Sequence, residues 1–99
     1  MLTSDDIDVI IFNAIAALNA ERADDAQIKV SPATPLFGTD SEIDSLEFVS
    51  VITDVETALN VDHGLSVPLA DDRALSRPQS PYETVATLRD YVMEVIEDR

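Results

Sequence analysis

The chain has 99 residues, of which 45% are hydrophobic and 26% charged, a composition typical of one globular domain with a single apolar core. Twenty Asp and Glu residues against six Lys and Arg give a formal net charge of −14, which disfavours nucleic acid and anionic membrane surfaces as partners. Cysteine is absent, which excludes disulfides and thiolate metal sites, so any thiol that the function needs has to come from outside the chain.

The N-terminal part of the chain has the pattern of an amphipathic helix over about residues 4–20. Thr3 or Ser4 is the predicted N-cap, and Asp5 and Asp6 place acids in the first turn. The apolar residues recur at helical spacing: Ile7, Ile10, Ile11, Ala14, Ile15 and Leu18. No basic segment precedes an apolar run, and no run approaches the roughly 20 residues that span a bilayer. We therefore expect no signal peptide, no membrane insertion and a cytoplasmic location.

Residues 21–44 form a long connection, because they contain Pro32, Pro35 and Gly38 and show no sustained periodicity. A loop of this length needs anchors in a compact domain. Five apolar residues are expected to attach it to the helices: Ile28, Val30, Leu36, Phe37 and Ile43. The connection is therefore expected to be ordered or to contain a short helical turn.

A second helix is predicted over about residues 45–60, with Asp44 or Ser45 as its cap. One apolar stripe contains Leu46, Val49, Ile52, Val55 and Leu59, and Phe48, Val51 and Ala58 broaden it. So wide an apolar face is typical of a helix that is contacted on more than one side, as the central helix of a bundle is.

The segment after this helix is rich in turn-forming residues over 60–68, including Gly64. A short helix is predicted at about residues 70–75, and Pro78 prevents its continuation. The segments before and after this short helix are predicted to be loops.

The last helix is predicted over about residues 81–97, because Ser80 and Glu83 have the spacing of a capping box and Pro81 stands at the first helical position. Its apolar positions are Val85, Leu88, Val92, Val95 and Ile96. No segment alternates with a period of two and no repeat is present. The sequence therefore predicts one all-α domain over residues 1–99, with three main helices and one short helix.

The second helix opens with Asp44-Ser45-Leu46, after a loop that contains Gly38. This motif resembles the attachment site of the acyl and peptidyl carrier proteins. The resemblance implies an acyl-carrier-like four-helix bundle in which Ser45 accepts 4′-phosphopantetheine from coenzyme A, as a phosphodiester, through a separate phosphopantetheinyl transferase. It also implies that Asp44 is the adjacent acid that contacts metal and transferase, and that Leu46 packs the helix start and is offered to partners.

Helix chemistry supports the same assignment of Ser45. A serine at the start of a helix has an exposed Oγ, and the unpaired N–H groups and positive dipole end beside it favour a phosphate. Asp44 suits a divalent cation shared with the transferase and coenzyme A, because Mg²⁺ takes one or two carboxylates plus phosphate oxygens. The competing interpretation is that Ser45 is only an N-cap.

The resemblance implies a carrier and not an enzyme. An acyl or aminoacyl group would be held as a thioester on the thiol of the arm, which is the only thiol in a chain without cysteine. The implied partners are a loading ligase for the acyl or aminoacyl group and a downstream transferase or synthase, served by a monomer. Residues 62–80 depart from a compact fatty-acid carrier and favour a specialised system in lipid or secondary-metabolite biosynthesis. The cargo stays open among fatty acyl, polyketide and aminoacyl groups and the acyl groups of specialised lipid or polysaccharide acylation.

Acids on the second helix and its approach form a candidate docking surface for a basic partner. They are Asp40, Glu42, Glu47, Asp54 and Glu56. Ser50 stands where fatty-acid carriers often have an acid, which weakens an assignment to ordinary fatty-acid service. The simpler interpretation is that these acids form a solvated helix face. An acidic helical adaptor that binds a basic protein without a prosthetic group fits the charge equally well.

Two other classes of function are disfavoured. A hydrolase with Ser45 as nucleophile and His63, the sole histidine, has no Gly-x-Ser-x-Gly motif, and His63 falls in a turn-rich segment where an exposed, unengaged side chain is expected. A calcium loop starting at Asp40 has Ser45 where glycine is required and Val51 where glutamate is required.

Overall fold

The computed structural model describes residues 2–36, 41–67, 69 and 82–97. These residues form three α-helices, α1 (Ser4–Asn19), α2 (Ser45–His63) and α3 (Val85–Glu97), and a 3₁₀ helix at Asp24–Ala26. No β-strand occurs in the described ranges, so the all-α prediction is confirmed for them. The predicted short helix at 70–75 lies outside the described residues, as do Phe37, Asp40, Ser80 and Pro81.

Helix α1 begins as the sequence predicts, with Thr3 as the N-cap. The Asp6 N–H donates to Thr3 Oγ1 at 3.2 Å, and the Thr3 N–H donates to Asp6 Oδ2 at 2.9 Å, which is a capping box. The hydrogen bond from the Thr3 backbone holds the pKa of the Asp6 carboxyl below its usual range. The buried residues of α1 are Ile7, Ile11, Ala14, Ile15 and Leu18.

Helix α1 packs against both α2 and α3, so it is the central helix of the described part of the chain. The sequence pattern suggested α2 for that place, whereas among the described residues α1 is the helix that packs against both of the others. Helix α2 buries Val51, Ile52, Val55 and Leu59, and α3 buries Val85, Leu88, Tyr91, Val92 and Val95. No helix in the described ranges combines the length and apolar character needed to cross a membrane.

The apolar face of α2 is narrower than predicted because Leu46 and Val49 point to solvent. Their side chains are 82% and 59% exposed. At about 3.6 residues per turn, Leu46 and the buried Val55 are two and a half turns apart and project from opposite sides of the helix. The prediction that Leu46 packs the helix start is therefore wrong.

Helix α2 ends at His63, three residues beyond the predicted end, because Gly64 supplies the turn. Gly64 has φ 66°, in the left-handed region that favours glycine. Its N–H donates to the Asn60 carbonyl at 3.0 Å, and the Leu65 N–H donates to the Leu59 carbonyl at 3.0 Å. These two bonds satisfy carbonyls of the last turn.

The connection between α1 and α2 is described over residues 20–36 and 41–44, where it contains the predicted short helical turn, at Asp24–Ala26. Ile28, Leu36 and Ile43 are buried, whereas Val30 is 40% exposed and does not serve as an anchor. The Asn19 side chain holds the backbone of Ile28 from both sides. Asn19 Nδ2 donates to the Ile28 carbonyl at 3.0 Å, and the Ile28 N–H donates to Asn19 Oδ1 at 2.7 Å.

Helix α3 begins at Val85, four residues later than the predicted start at Pro81. The residues just before Val85 are paired with the α1–α2 connection and are not helical, because Thr84 forms an antiparallel bridge with Pro35. The Leu36 N–H donates to the Glu83 carbonyl at 3.0 Å. Thr84 and Thr87 then exchange side-chain-to-backbone hydrogen bonds of 2.9 and 3.2 Å, which place the cap four residues later than the predicted capping box of Ser80 and Glu83.

Two leucines on α2 test the packing of the helices. Leu59 is fully buried and Leu46 is 82% exposed, so the same truncation removes core packing at one site only. We expect Leu59→Ala to lower the free energy of unfolding by about 2–5 kcal/mol, and Leu46→Ala to change it by less than about 0.5 kcal/mol. Urea denaturation measures both. Equal losses would contradict this placement of α2.

Candidate functional site

The cap at the start of α2 is formed by Asp44 and not by Ser45. The Glu47 N–H donates to Asp44 Oδ1 at 2.8 Å, and the Asp44 N–H donates to Glu47 Oε1 at 3.2 Å. This reciprocal pair is a capping box with Asp44 as N-cap and Ser45 as the first helical residue. The interpretation of Ser45 as an N-cap is therefore wrong, and its hydroxyl has no capping role.

Ser45 presents its side chain to solvent. Among the described residues its hydroxyl has no hydrogen-bond partner, and the N–H groups of Ser45 and Leu46 have no acceptor. The first intrahelical bond runs from the Phe48 N–H to the Asp44 carbonyl at 2.8 Å. An exposed hydroxyl beside two unpaired backbone N–H groups fits a phosphodiester at Ser45.

Arg22 joins the end of α1 to this cap. Its Nη2 lies 2.7 Å from Glu47 Oε1, and its Nε donates to Glu47 Oε2 at 3.3 Å, so the guanidinium binds the carboxylate with both arms of its fork. This role of Arg22 was not predicted from the sequence. A signal was present, because Arg22 is one of six Lys and Arg residues in the chain and stands among acids.

The loop that leads into Ser45 is fixed by polar contacts as well as by a buried side chain. Ser41 Oγ donates to the Pro35 carbonyl at 3.2 Å and accepts from the Ile43 N–H at 3.0 Å. Arg22 Nη2 donates to the Glu42 carbonyl at 2.9 Å. Since Ile43 is buried, the chain enters α2 along a defined path.

The candidate docking acids differ in their surroundings. Asp54 and Glu42 are exposed and Glu56 is half-buried on α2. Glu47 differs from them because its carboxylate binds Arg22 and the Asp44 N–H, and its side chain is only 26% exposed. A basic partner that binds Glu47 would have to compete with Arg22 and the Asp44 N–H for its carboxylate. Asp40 lies outside the described residues.

A groove of about 440 Å³ lies along α2 beyond Ser45. Its lining residues are Thr53, Glu56, Thr57, Asn60, Val61, Ser66 and Val67. Hydroxyl, amide and carboxylate groups share this lining with apolar surface. Glu56 therefore lines a groove of mixed character on the same helix that carries Ser45.

His63 stands far from Ser45. The two residues are the last and first of the 19-residue helix α2, and at about 1.5 Å of rise per residue they lie ~27 Å apart. This separation excludes a hydrogen-bonded pair of serine nucleophile and histidine base. His63 belongs to the last helical turn and not to a loop, and it is exposed, as expected. Among the described residues no group of three or more His, Asp and Glu side chains is arranged to hold a metal ion.

No protein-family model matches the chain, and no curated protein or solved structure is significantly similar to it. The functional assignment therefore depends on the residues at the start of α2.

Two substitutions separate the cap from the free hydroxyl. Asp44→Ala removes the acceptor of the Glu47 N–H bond, and we expect it to lower the free energy of unfolding by about 1 kcal/mol. Ser45→Ala removes an exposed hydroxyl without a capping role, and we expect a change within about 0.5 kcal/mol. Urea denaturation of both variants measures the difference. A larger loss from Ser45→Ala would show that the serine is the structural residue.

Proposed function

We propose that the chain is a carrier protein that holds an acyl or aminoacyl group as a thioester on 4′-phosphopantetheine attached to Ser45, and presents it to biosynthetic enzymes. The observation that supports this function most strongly is the exposed Ser45 hydroxyl at the first position of α2, outside the cap that Asp44 forms. The proposal includes a short helix at 70–75, which would complete an acyl-carrier-like bundle of four helices.

The attachment step uses the Ser45 hydroxyl as the nucleophile. Ser45 Oγ forms a bond to the phosphorus that bears the pantetheine of coenzyme A, the phosphoanhydride bond breaks, and 3′,5′-ADP leaves while the hydroxyl proton is released. The exposed Asp44 carboxylate beside Ser45 suits a Mg²⁺ ion shared with the coenzyme phosphates. When bound, the group supplies the thiol that holds the cargo.

The exposed side of α2 suits a protein partner. Leu46 and Val49, 82% and 59% exposed, lie within one turn of Ser45. Asp54 and Glu56 follow on the same helix. Apolar residues with acids beside them fit a partner that has an apolar patch and basic residues at its rim, because the acids steer the encounter and the apolar groups contribute contact area.

An acidic adaptor without a prosthetic group is the second candidate, because the exposed Leu46 and Val49 would serve it equally well. Ser45 discriminates between the two functions. Binding by an adaptor does not require the hydroxyl, whereas a carrier without it cannot be loaded.

The attachment test uses the full chain with coenzyme A, Mg²⁺ and a broad-specificity phosphopantetheinyl transferase. We expect one phosphopantetheine per chain by intact-mass measurement, and none on Ser45→Ala, because the proposal places the arm on the Ser45 hydroxyl. Ser50→Ala is the matched control, since Ser50 is an exposed serine on the same helix, and it should be modified like the wild type. Modification of folded Ser45→Ala, or none of the folded wild type, would contradict the proposal.

The docking surface is tested by reversing one acid at a time. We expect Glu56→Lys to lower kcat/KM for phosphopantetheinylation and to weaken its dependence on ionic strength, since charges that face a basic partner mainly set the association rate. Glu97→Lys makes the same change of charge at the far end of α3 and should have little effect. Initial rates across a salt series measure both. Equal effects would mean that the partner responds to net charge and not to α2.

A further inference from the structure

We propose that Arg22 is a positioning residue for Ser45, which fixes the first turn of α2 and offsets the acids around the serine before the phosphodiester is added. This inference rests on the proposed function, because it concerns the reaction at the Ser45 hydroxyl. It assigns a role to a side chain that precedes the second helix by more than twenty residues and does not touch the reacting atoms.

The fork of Arg22 gives the cap a fixed geometry. The guanidinium binds Glu47 through Nη2 at 2.7 Å and Nε at 3.3 Å, and the Arg22 and Glu47 side chains are only 18% and 26% exposed. A planar two-point contact restricts the orientation of the carboxylate, which a lysine ammonium does not do. Glu47 is therefore held in one orientation at the third position of α2.

That orientation is transmitted to Ser45 through Asp44. Glu47 Oε1 accepts both the Arg22 Nη2 bond and the Asp44 N–H bond, and Asp44 Oδ1 accepts the Glu47 N–H bond. Ser45 lies between these two residues in the chain. A guanidinium that fixes Glu47 therefore restrains the backbone N–H groups of Asp44 and Glu47, which flank Ser45 and Leu46.

The same guanidinium also holds the segments that approach the site. Its Nη2 donates to the Glu42 carbonyl at 2.9 Å, and its Nη1 donates to the Ala26 carbonyl at 3.0 Å. Each of its three nitrogens therefore makes a hydrogen bond inside the chain. These bonds use four of the five N–H donors of the guanidinium, which favours a role in ordering the site over one in binding the phosphate.

Charge gives Arg22 a second effect on the reaction. Glu42, Asp44 and Glu47 place three carboxylates within three residues of Ser45, and the phosphodiester adds another negative charge there. The positive charge of Arg22, paired with Glu47, reduces this repulsion. Its removal should therefore disfavour modification even where the helix remains folded.

Arg89 offers a matched control for a merely structural contribution. It also forms an ion pair between elements, with Nη1 at 3.4 Å from Asp8 Oδ2, and its side chain is 23% exposed. It joins α1 to α3, and its hydrogen bonds and ion pairs within the described residues go to Asp8 and Asp90, not to the start of α2. Arg89→Gln and Arg22→Gln therefore make the same change of residue and charge, but only Arg22→Gln alters the cap beside Ser45.

The experiment compares wild type, Arg22→Gln, Arg22→Lys and Arg89→Gln by steady-state kinetics of phosphopantetheinylation and by hydrogen exchange of residues 42–48. We expect Arg22→Gln to lower kcat/KM about tenfold, mainly through kcat, because the hydroxyl is less well oriented. The backbone amide hydrogens of residues 42–48 should also exchange faster in Arg22→Gln than in the wild type. Arg22→Lys keeps the charge without the fork and should recover only part of the rate. Arg89→Gln should stay within about twofold of the wild type.

The outcomes separate this inference from the proposed function. If the wild type is modified but Arg22→Gln and Arg89→Gln have equal kcat/KM, the inference is wrong and the carrier function stands. If no transferase modifies the wild type, the carrier function and the kinetic role of Arg22 both fall. Unchanged exchange over 42–48 in Arg22→Gln overturns the ordering role in either case. Glu47→Gln, which loses the ion pair but keeps an oxygen for the Asp44 N–H, replaces Arg22→Gln if that variant unfolds.

Discussion

The reciprocal cap between Asp44 and Glu47 is the interaction on which the candidate site depends. It starts α2 at Ser45, and it uses the Asp44 carboxylate for the Glu47 N–H, so the serine hydroxyl is left outside the cap. Arg22 binds the same Glu47 carboxylate and so connects the cap to the end of α1. Three charged side chains, Arg22, Glu47 and Asp44, thus determine the position of the uncharged Ser45 hydroxyl.

The first turn of α2 packs against the apolar core on one side and is exposed to solvent on the other. Ile43, one residue before Asp44, is buried, and the ring of Phe48 contacts the ring of Tyr82 edge-on with centroids 5.2 Å apart. Leu46, which lies between Ile43 and Phe48 in the sequence, is 82% exposed. The first turn of α2 is therefore anchored on the inside by apolar contacts, while its outer side combines a hydroxyl, unpaired N–H groups and exposed apolar surface.

Local sequence patterns predicted the parts of this structure that local forces determine. The start of α1 follows from Thr3 and Asp6, and the start of α2 follows from Asp44, because the partners in each cap are three residues apart. The late start of α3 was not predictable in this way, since Thr84 pairs with Pro35 across the chain. The pair of Arg22 with Glu47 and the exposure of Leu46 likewise depend on how distant segments pack.

Tandem mass spectrometry of the chain purified from its own cells would detect a phosphopantetheine arm on Ser45. Because α2 presents one hydroxyl at its first position, we expect a single phosphopantetheine whose fragment ions place it on Ser45. A chain that carries no phosphopantetheine in those cells, or carries it on another residue, would show that Ser45 is not the attachment site.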